Sequence, residues 1–244
     1  MMADVESKRG TGEATGLADV HRHHRVKCVT ERVGRPKNRE VSLNEIVVGV
    51  NGAIPLWAAG TRLYWRFNAL SFAVAPNPEA ARARIRSLLQ RALDAWGDAA
   101  PVALVERETG IDFEIVLRNA DDCDERGCVL ASAFFPDAGR HELVIYPRML
   151  MQEEQEQIET MIHELGHVFG LRHFFALANE TRNPAQVFGT HVRFSIMNYG
   201  ANSYLTDADR ADLTALYEQA RSGRLTAING TPIVLVRPFS ALFG

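Results

Sequence analysis

Residues 163–173 read His-Glu-Leu-Gly-His-Val-Phe-Gly-Leu-Arg-His. On a helix, His163 and His167 are four positions apart and project from one face. Two neutral imidazoles at that spacing can hold one Zn²⁺, and Glu164 beside them is a carboxylate able to work on a metal-bound water. Gly170 lets the chain leave the helix in a conformation that a residue with a Cβ resists. The turn can then return His173 as a third ligand. Three protein ligands leave a fourth position open, as a catalytic zinc requires and a structural zinc does not. Five fixed positions of these types arise by chance in roughly one chain of this length in 10⁴ to 10⁵.

The chain around this stretch has 244 residues, a net charge of −3, 46 % hydrophobic and 23 % charged residues. That is room for one substantial core plus extensions. The charge gives no support for nucleic acid or an anionic membrane as partner. No apolar run reaches the ~18 residues that span a bilayer. The start, Met1-Met2-Ala3-Asp4-Val5-Glu6, lacks the apolar core of a secretory signal. The expectation is a protein that stays inside, leaves without a classical signal, or has a trimmed N-terminus. Three cysteines (Cys28, Cys123, Cys128) are too few for a disulfide-built scaffold. Cys123 and Cys128 enclose a short loop and either pair in an oxidising compartment or remain two thiols.

Three regions are expected: an N-terminal extension over 1–55, a catalytic domain over 56–222 and a C-terminal hairpin over 223–244. The first 40 or so residues read as poorly ordered. His21, His23, His24 and Cys28 cluster there without the ligand spacing of a metal site, so the segment reads as a mobile basic one. Arg62-Leu63-Tyr64-Trp65-Arg66-Phe67 alternates as a half-buried strand. Asn77 and Pro78 open a helix that buries Ile85, Leu88, Leu89, Ala92, Leu93 and Trp96 and ends at Gly97. Further strands are expected at Val102–Glu106, Phe113–Leu117, Val129–Phe135 and Glu142–Tyr146. The zinc-motif helix is expected from about Glu153 to Phe169, and a closing helix begins near Thr206 with Asp209 as its capping-box partner. Leu225–Val236, with Asn229-Gly230 at its centre, reads as a hairpin.

His163 to His173, followed by Ser195-Ile196-Met197-Asn198-Tyr199-Gly200, resembles the metzincin zinc endopeptidases, in which a Met-turn floors the metal site. Met197 would be that methionine, its flexible thioether suited to packing beneath the ligands. Over roughly residues 56–220 the order of elements resembles the matrixin branch. Phe174 departs from that branch, and Tyr199, two positions after Met197, is closer to astacin and serralysin Met-turns. The resemblance implies an α+β fold: a twisted, mostly parallel five-stranded sheet with an antiparallel edge strand, a long active-site helix and a closing C-terminal helix. It implies a zinc endopeptidase in which His163, His167 and His173 hold the metal, Glu164 is general base, and Tyr199 stabilises the oxyanion. Gly127–Pro136 looks like the family's edge strand above the cleft, so Val129, Leu130, Ala131, Ser132 and Ala133 would line the rim and pair with an extended substrate.

Relatives use structural Ca²⁺ near Asp121-Asp122-Cys123-Asp124-Glu125, which is otherwise a solvated acidic turn. Matrixin-type relatives often block their zinc with a propeptide cysteine. Cys28 could do so, although Lys27 and Val29-Thr30-Glu31 do not match the usual propeptide motif. The expected partner is a peptide or protein substrate, and the expected state a monomer. Alternatives are a narrow-specificity processing peptidase, a zinc-binding interaction module that cleaves nothing, and a latent enzyme whose N-terminal segment covers the cleft.

Overall fold

The computed structural model describes residues 26–30, 52–125, 127–173, 188–189, 195–197 and 203–242. Their fold is α+β. Strands β1 (Val26–Lys27), β2 (Ile54–Trp57) and β3 (Arg62–Phe67) precede helices α1 (Ala69–Ala73) and α2 (Pro78–Trp96). Strands β4 (Ala103–Glu106), β5 (Phe113–Leu117), β6 (Asp122–Asp124), β7 (Gly127–Val129), β8 (Ala131–Ser132) and β9 (His141–Ile145) follow. The remainder is α3 (Pro147–Leu150), α4 (Glu154–Val168), α5 (Asp207–Arg221), β10 (Ala227–Ile228) and β11 (Thr231–Val236).

The main sheet has the order β4-β3-β5-β9-β8, parallel throughout except for β8, which runs antiparallel to β9. In β3, period-two alternation buries Leu63 and Trp65 and leaves Arg62 exposed. Asn77 caps α2 by accepting the Ala80 N–H, with Pro78 in the first turn, and Gly97 ends the helix at φ 55°. Helix α2 buries Ile85, Leu88, Leu89, Ala92 and Trp96. It packs along α4, where the Trp96 indole N–H donates to the Ile162 carbonyl at 3.1 Å. Thr206 and Asp209 form the capping box that starts α5.

The expected continuous strand over Val129–Phe135 is broken at Leu130. Its first part, β7, pairs with β6 and β1, whereas β8 pairs with β9 in the main sheet. The break is a change of partners: the Leu130 carbonyl turns to accept the N–H of Tyr146, beyond the end of β9. Cys123 and Cys128 are directly opposed across β6 and β7 and are joined by a disulfide.

The C-terminal residues are tied into the frame. Asn229 (φ 47°) and Gly230 (φ 83°) turn the hairpin in the left-handed region that such tight turns require. Strand β11 then runs parallel to β2, pairing Ile233 with Ile54 through Val236 with Trp57. Beyond it, Ser240 donates its N–H and hydroxyl to buried Asp112, which also accepts the Tyr64 N–H.

His141 opens β9 as a buried ring stacked flat on Phe134, centroids 4.3 Å apart. Burial pushes its pKa down to about 3, with a backbone contact to Asp137 acting weakly the other way. The ring is therefore neutral when folded, while in the unfolded chain it titrates near 6.5. Below that value the unfolded state takes up the extra proton, so stability is full above pH 6.5 and falls as pH drops toward 3. The expected slope from this residue is up to about 1.4 kcal/mol per pH unit between pH 6 and 4. Urea unfolding of wild type and His141→Phe across that range measures it, the variant showing the shallower decline.

Candidate metal centre

Helix α4 brings His163, Glu164 and His167 onto a buried surface, with exposures of 8, 2 and 0 %. Its C-terminal end is also buried, so its last carbonyls need protein donors. The Trp57 indole N–H donates to the Val168 carbonyl at 2.7 Å, and the Tyr217 hydroxyl donates to that of Phe169 at 2.9 Å. Gly170 follows at φ 94°, a conformation that strains any residue with a Cβ. A Cβ there would also lie 3.2 Å from Leu56 Cδ2 and 3.3 Å from the Pro55 carbonyl oxygen. The turn closes with the Leu171 N–H on the Gly166 carbonyl and delivers His173, 2 % exposed, to the same spot.

The three imidazoles converge through one nitrogen each. His163 Nε2 lies 3.1 Å from His173 Nε2 and 3.2 Å from His167 Nε2. The opposite nitrogens are held from behind: His163 Nδ1 is 2.7 Å from the Ile196 carbonyl, and His167 Nδ1 is 2.8 Å from that of Leu171. Carbonyls only accept, so each Nδ1 carries the proton and each Nε2 presents its lone pair. Burial depresses the basicity of all three, holding His163 down to about 4 and His167 well below the ordinary range. Neutral rings are the ligating form. A tetrahedral ion with metal–nitrogen bonds of about 2.0–2.1 Å separates its ligand nitrogens by about 3.3–3.4 Å. The observed spacing fits.

The fourth member of the group comes from the N-terminal segment. Cys28 Sγ lies 3.5 Å from His167 Nε2, and the four ligand atoms of Cys28, His163, His167 and His173 all lie within 4.8 Å of one another. A zinc-type site with one sulfur of bond length about 2.3 Å separates S from N by about 3.6 Å. The donor set is one that zinc accepts.

The same segment covers Glu164. The Thr30 hydroxyl donates to Glu164 Oε2 at 2.9 Å and accepts the Ala133 N–H at 2.8 Å, while Cys28 Sγ stands 3.6 Å from Oε1. Burial pushes the Glu164 carboxyl up to about 7, against the pull of these hydrogen bonds. Burial and then the Glu164 charge push the Cys28 thiol well above its usual value. Cys28 has no ligand spacing of its own because its partners Glu164 and His167 lie 136 and 139 residues away. Thr30 likewise lies 134 residues from Glu164.

The rim residues are placed and buried, but β7 is not an open edge. Lys27 pairs with Val129, and Ala133 is engaged by Thr30, so the chain's own segment covers both residues. Leu130, Ala131 and Ser132 lie behind it, the last two paired to β9. Met197 lies 2 % exposed under α4, in a segment held by Ser195, whose hydroxyl donates to Asp209 at 2.5 Å. Tyr199, Phe174, His21, His23 and His24 lie outside the described residues. The acidic run 121–125 forms β6 and its turn, with Asp121 accepting from Arg148 and Asp124 paired to Lys27 at 2.9 Å.

Residues 64–181 match the family model described as matrixin. This match supports a matrixin-like metzincin catalytic domain and, at family level, a metalloendopeptidase. The match runs from β3 through the zinc-motif helix and stops short of Met197 and α5. None of the curated proteins matches the chain.

Gly166 is a further residue the motif reading passed over. A Cβ there would meet Met197 Sδ at 2.5 Å. Glycine inside a helix costs about 1 kcal/mol relative to alanine, which is itself a signal of close packing. Gly166→Ala is therefore expected to lower the melting temperature by several degrees, since overpacking costs about 1–3 kcal/mol and exceeds the helix gain. A rise in melting temperature by calorimetry would show that Met197 yields freely.

Proposed function

We propose that this chain is a zinc-dependent endopeptidase held latent by its own N-terminal segment, with His163, His167 and His173 as metal ligands and Glu164 as general base. The observation that carries the reading is the convergence of three neutral imidazoles beside one buried carboxyl, with a thiol at the fourth vertex. Bound zinc supplies a water acidic near neutral pH and polarises a carbonyl. Glu164, buried beside His163 and His167, would take a proton from the attacking water and pass it to the leaving amine, a role worth roughly 10²–10⁴-fold. The Nδ1 contacts to Ile196 and Leu171 keep His163 and His167 in the ligating tautomer and orientation. The hydroxyl of Tyr199 is assigned to the developing oxyanion, and loss of one such donor costs ~10²–10³ in turnover.

In the latent state Cys28 would join the three imidazoles in holding the metal where a water would otherwise bind, and the Thr30 hydroxyl takes the carboxylate oxygen that would receive the proton. Substrate would pair with the rim of Val129, Leu130, Ala131, Ser132 and Ala133 once the segment leaves.

Zinc content and casein cleavage, measured together on the full chain, test this. Wild type, Cys28→Ala and Cys28→Ala/Glu164→Ala are each expected to hold about one zinc. Cys28→Ala should cleave at least about tenfold faster than wild type, and adding Glu164→Ala should abolish the gain by roughly 10² or more. Chelator should stop all cleavage. If Cys28→Ala/Thr30→Ala holds zinc yet cleaves neither casein nor a diverse peptide library, the endopeptidase reading falls and a non-proteolytic zinc module takes its place.

A further inference from the structure

The N-terminal segment shows which side chains the cleft receives next to the metal centre. Strand β1 lies parallel to β7, Lys27 in register with Val129, and Val129 is in turn in register with Asp122 on β6. Bridge partners share a face of a sheet, so Lys27, Val129 and Asp122 form one row across three strands. Asp124, two residues on, sits on that same face and pairs with Gly127, which places no side chain in the way. Lys27 reaches diagonally across this gap. Its ammonium lies 2.9 Å from Asp124 and 4.0 Å from Asp122, with the lysine side chain only 18 % exposed. Neighbouring Cys28 faces His167 and Glu164. Thus one residue of an extended chain meets the metal centre while the adjacent one meets two carboxylates.

The hairpin carrying those carboxylates is braced. Cys123, between the two aspartates, is covalently joined to Cys128, and Asp121 at its base accepts the N–H and guanidinium of Arg148. An exposed acidic turn would normally move with its solvent. This one is stapled at its centre and tied at its foot, so its charges hold position relative to the β7 edge.

We propose that Asp122 and Asp124 form a specificity subsite for a basic side chain, lysine or arginine, immediately adjacent to the scissile bond of a peptide substrate. This rests on the reading of the cleft as an endopeptidase site. Lys27 is the chain's own occupant of the subsite, and a substrate lysine or arginine takes its place when the segment is displaced. A parallel or an antiparallel substrate strand puts the basic residue on opposite sides of the cleaved bond, so both positions are to be tested.

The experiment uses the full-length Lys27→Ala/Cys28→Ala chain, loaded with zinc, and quenched-fluorescent peptides carrying Lys, Gln or Glu at each residue flanking the cleaved bond. At one flanking position kcat/KM for Lys is expected to exceed that for Gln by about three- to tenfold, with Glu lower still, and the ratio should shrink at high salt. Adding Asp122→Asn/Asp124→Asn should bring the Lys-to-Gln ratio to within about twofold of one, with zinc content retained as the readout of an intact centre. Cleavage with no preference for Lys, or a preference that survives the asparagine pair, overturns the subsite while leaving the peptidase reading standing. Zinc bound without cleavage of any peptide overturns the peptidase reading and the subsite with it.

Discussion

The constraint on which the rest of this structure hangs is the buried C-terminal end of α4. A helix end out of water must find donors for its last carbonyls or pay for each one left bare. Here the indole of Trp57, from β2, and the hydroxyl of Tyr217, from α5, supply them. Tyr217 also accepts the Trp57 N–H, and Arg221 on the same helix donates to the carbonyls of Trp57, Ala58 and Pro101. Two elements far apart in sequence are thereby locked to the turn that carries His167 to His173. The C-terminal strand β11 pairs with β2 and so braces the strand that supplies Trp57. The parts of the chain that look peripheral in sequence hold the geometry of the imidazoles.

A second consequence is electrostatic. Three imidazoles with nitrogens 3.1–3.2 Å apart cannot share that space as cations. Burial removes the difficulty by keeping them neutral, and backbone carbonyls choose which nitrogen of His163 and His167 bears the proton. Glu164 shows the reverse effect of the same burial, since a carboxyl deprived of water holds its proton into the neutral range.

Local pattern made much of this legible. The alternation in β3, the Asn77-Pro78 start of α2, the capping box of α5 and the Asn229-Gly230 hairpin are signals carried by a few adjacent residues, and each stands where the pattern put it. The convergence of His163, His167 and His173 was equally readable, because helix spacing and one glycine determine it. What escaped was set by contacts between distant segments. The break at Leu130 depends on which strand claims each half of a continuous apolar run, and periodicity is the same for either partner. The approach of Met197 to Gly166 is a packing fact across 31 positions (197 − 166). The residues flanking Cys28 do not match the usual propeptide motif, so sequence leaves its role open. Its position follows from a strand pairing only two residues long, too short to leave a trace in sequence.

That short pairing raises the question of how the segment holds. Two residues of strand, one ion pair at a partly exposed hairpin and one buried hydroxyl are each modest contacts. Joined to the same chain, they act at high effective concentration, so the segment need not bind tightly to occupy the cleft most of the time. The thiol of Cys28 contributes strongly only with a metal present, because without one burial keeps it protonated and a weak ligand. A bound metal and the segment would therefore stabilise each other's places. The backbone pairing with β7 and the hydroxyl of Thr30 on Glu164 seat the segment and bring the thiol beside His167. In this arrangement the contacts made by peptide backbone and by Lys27 are ones a substrate can imitate, whereas those made by Cys28 and Thr30 are ones a substrate cannot, and that division is what would separate an occupant that blocks from one that is cleaved.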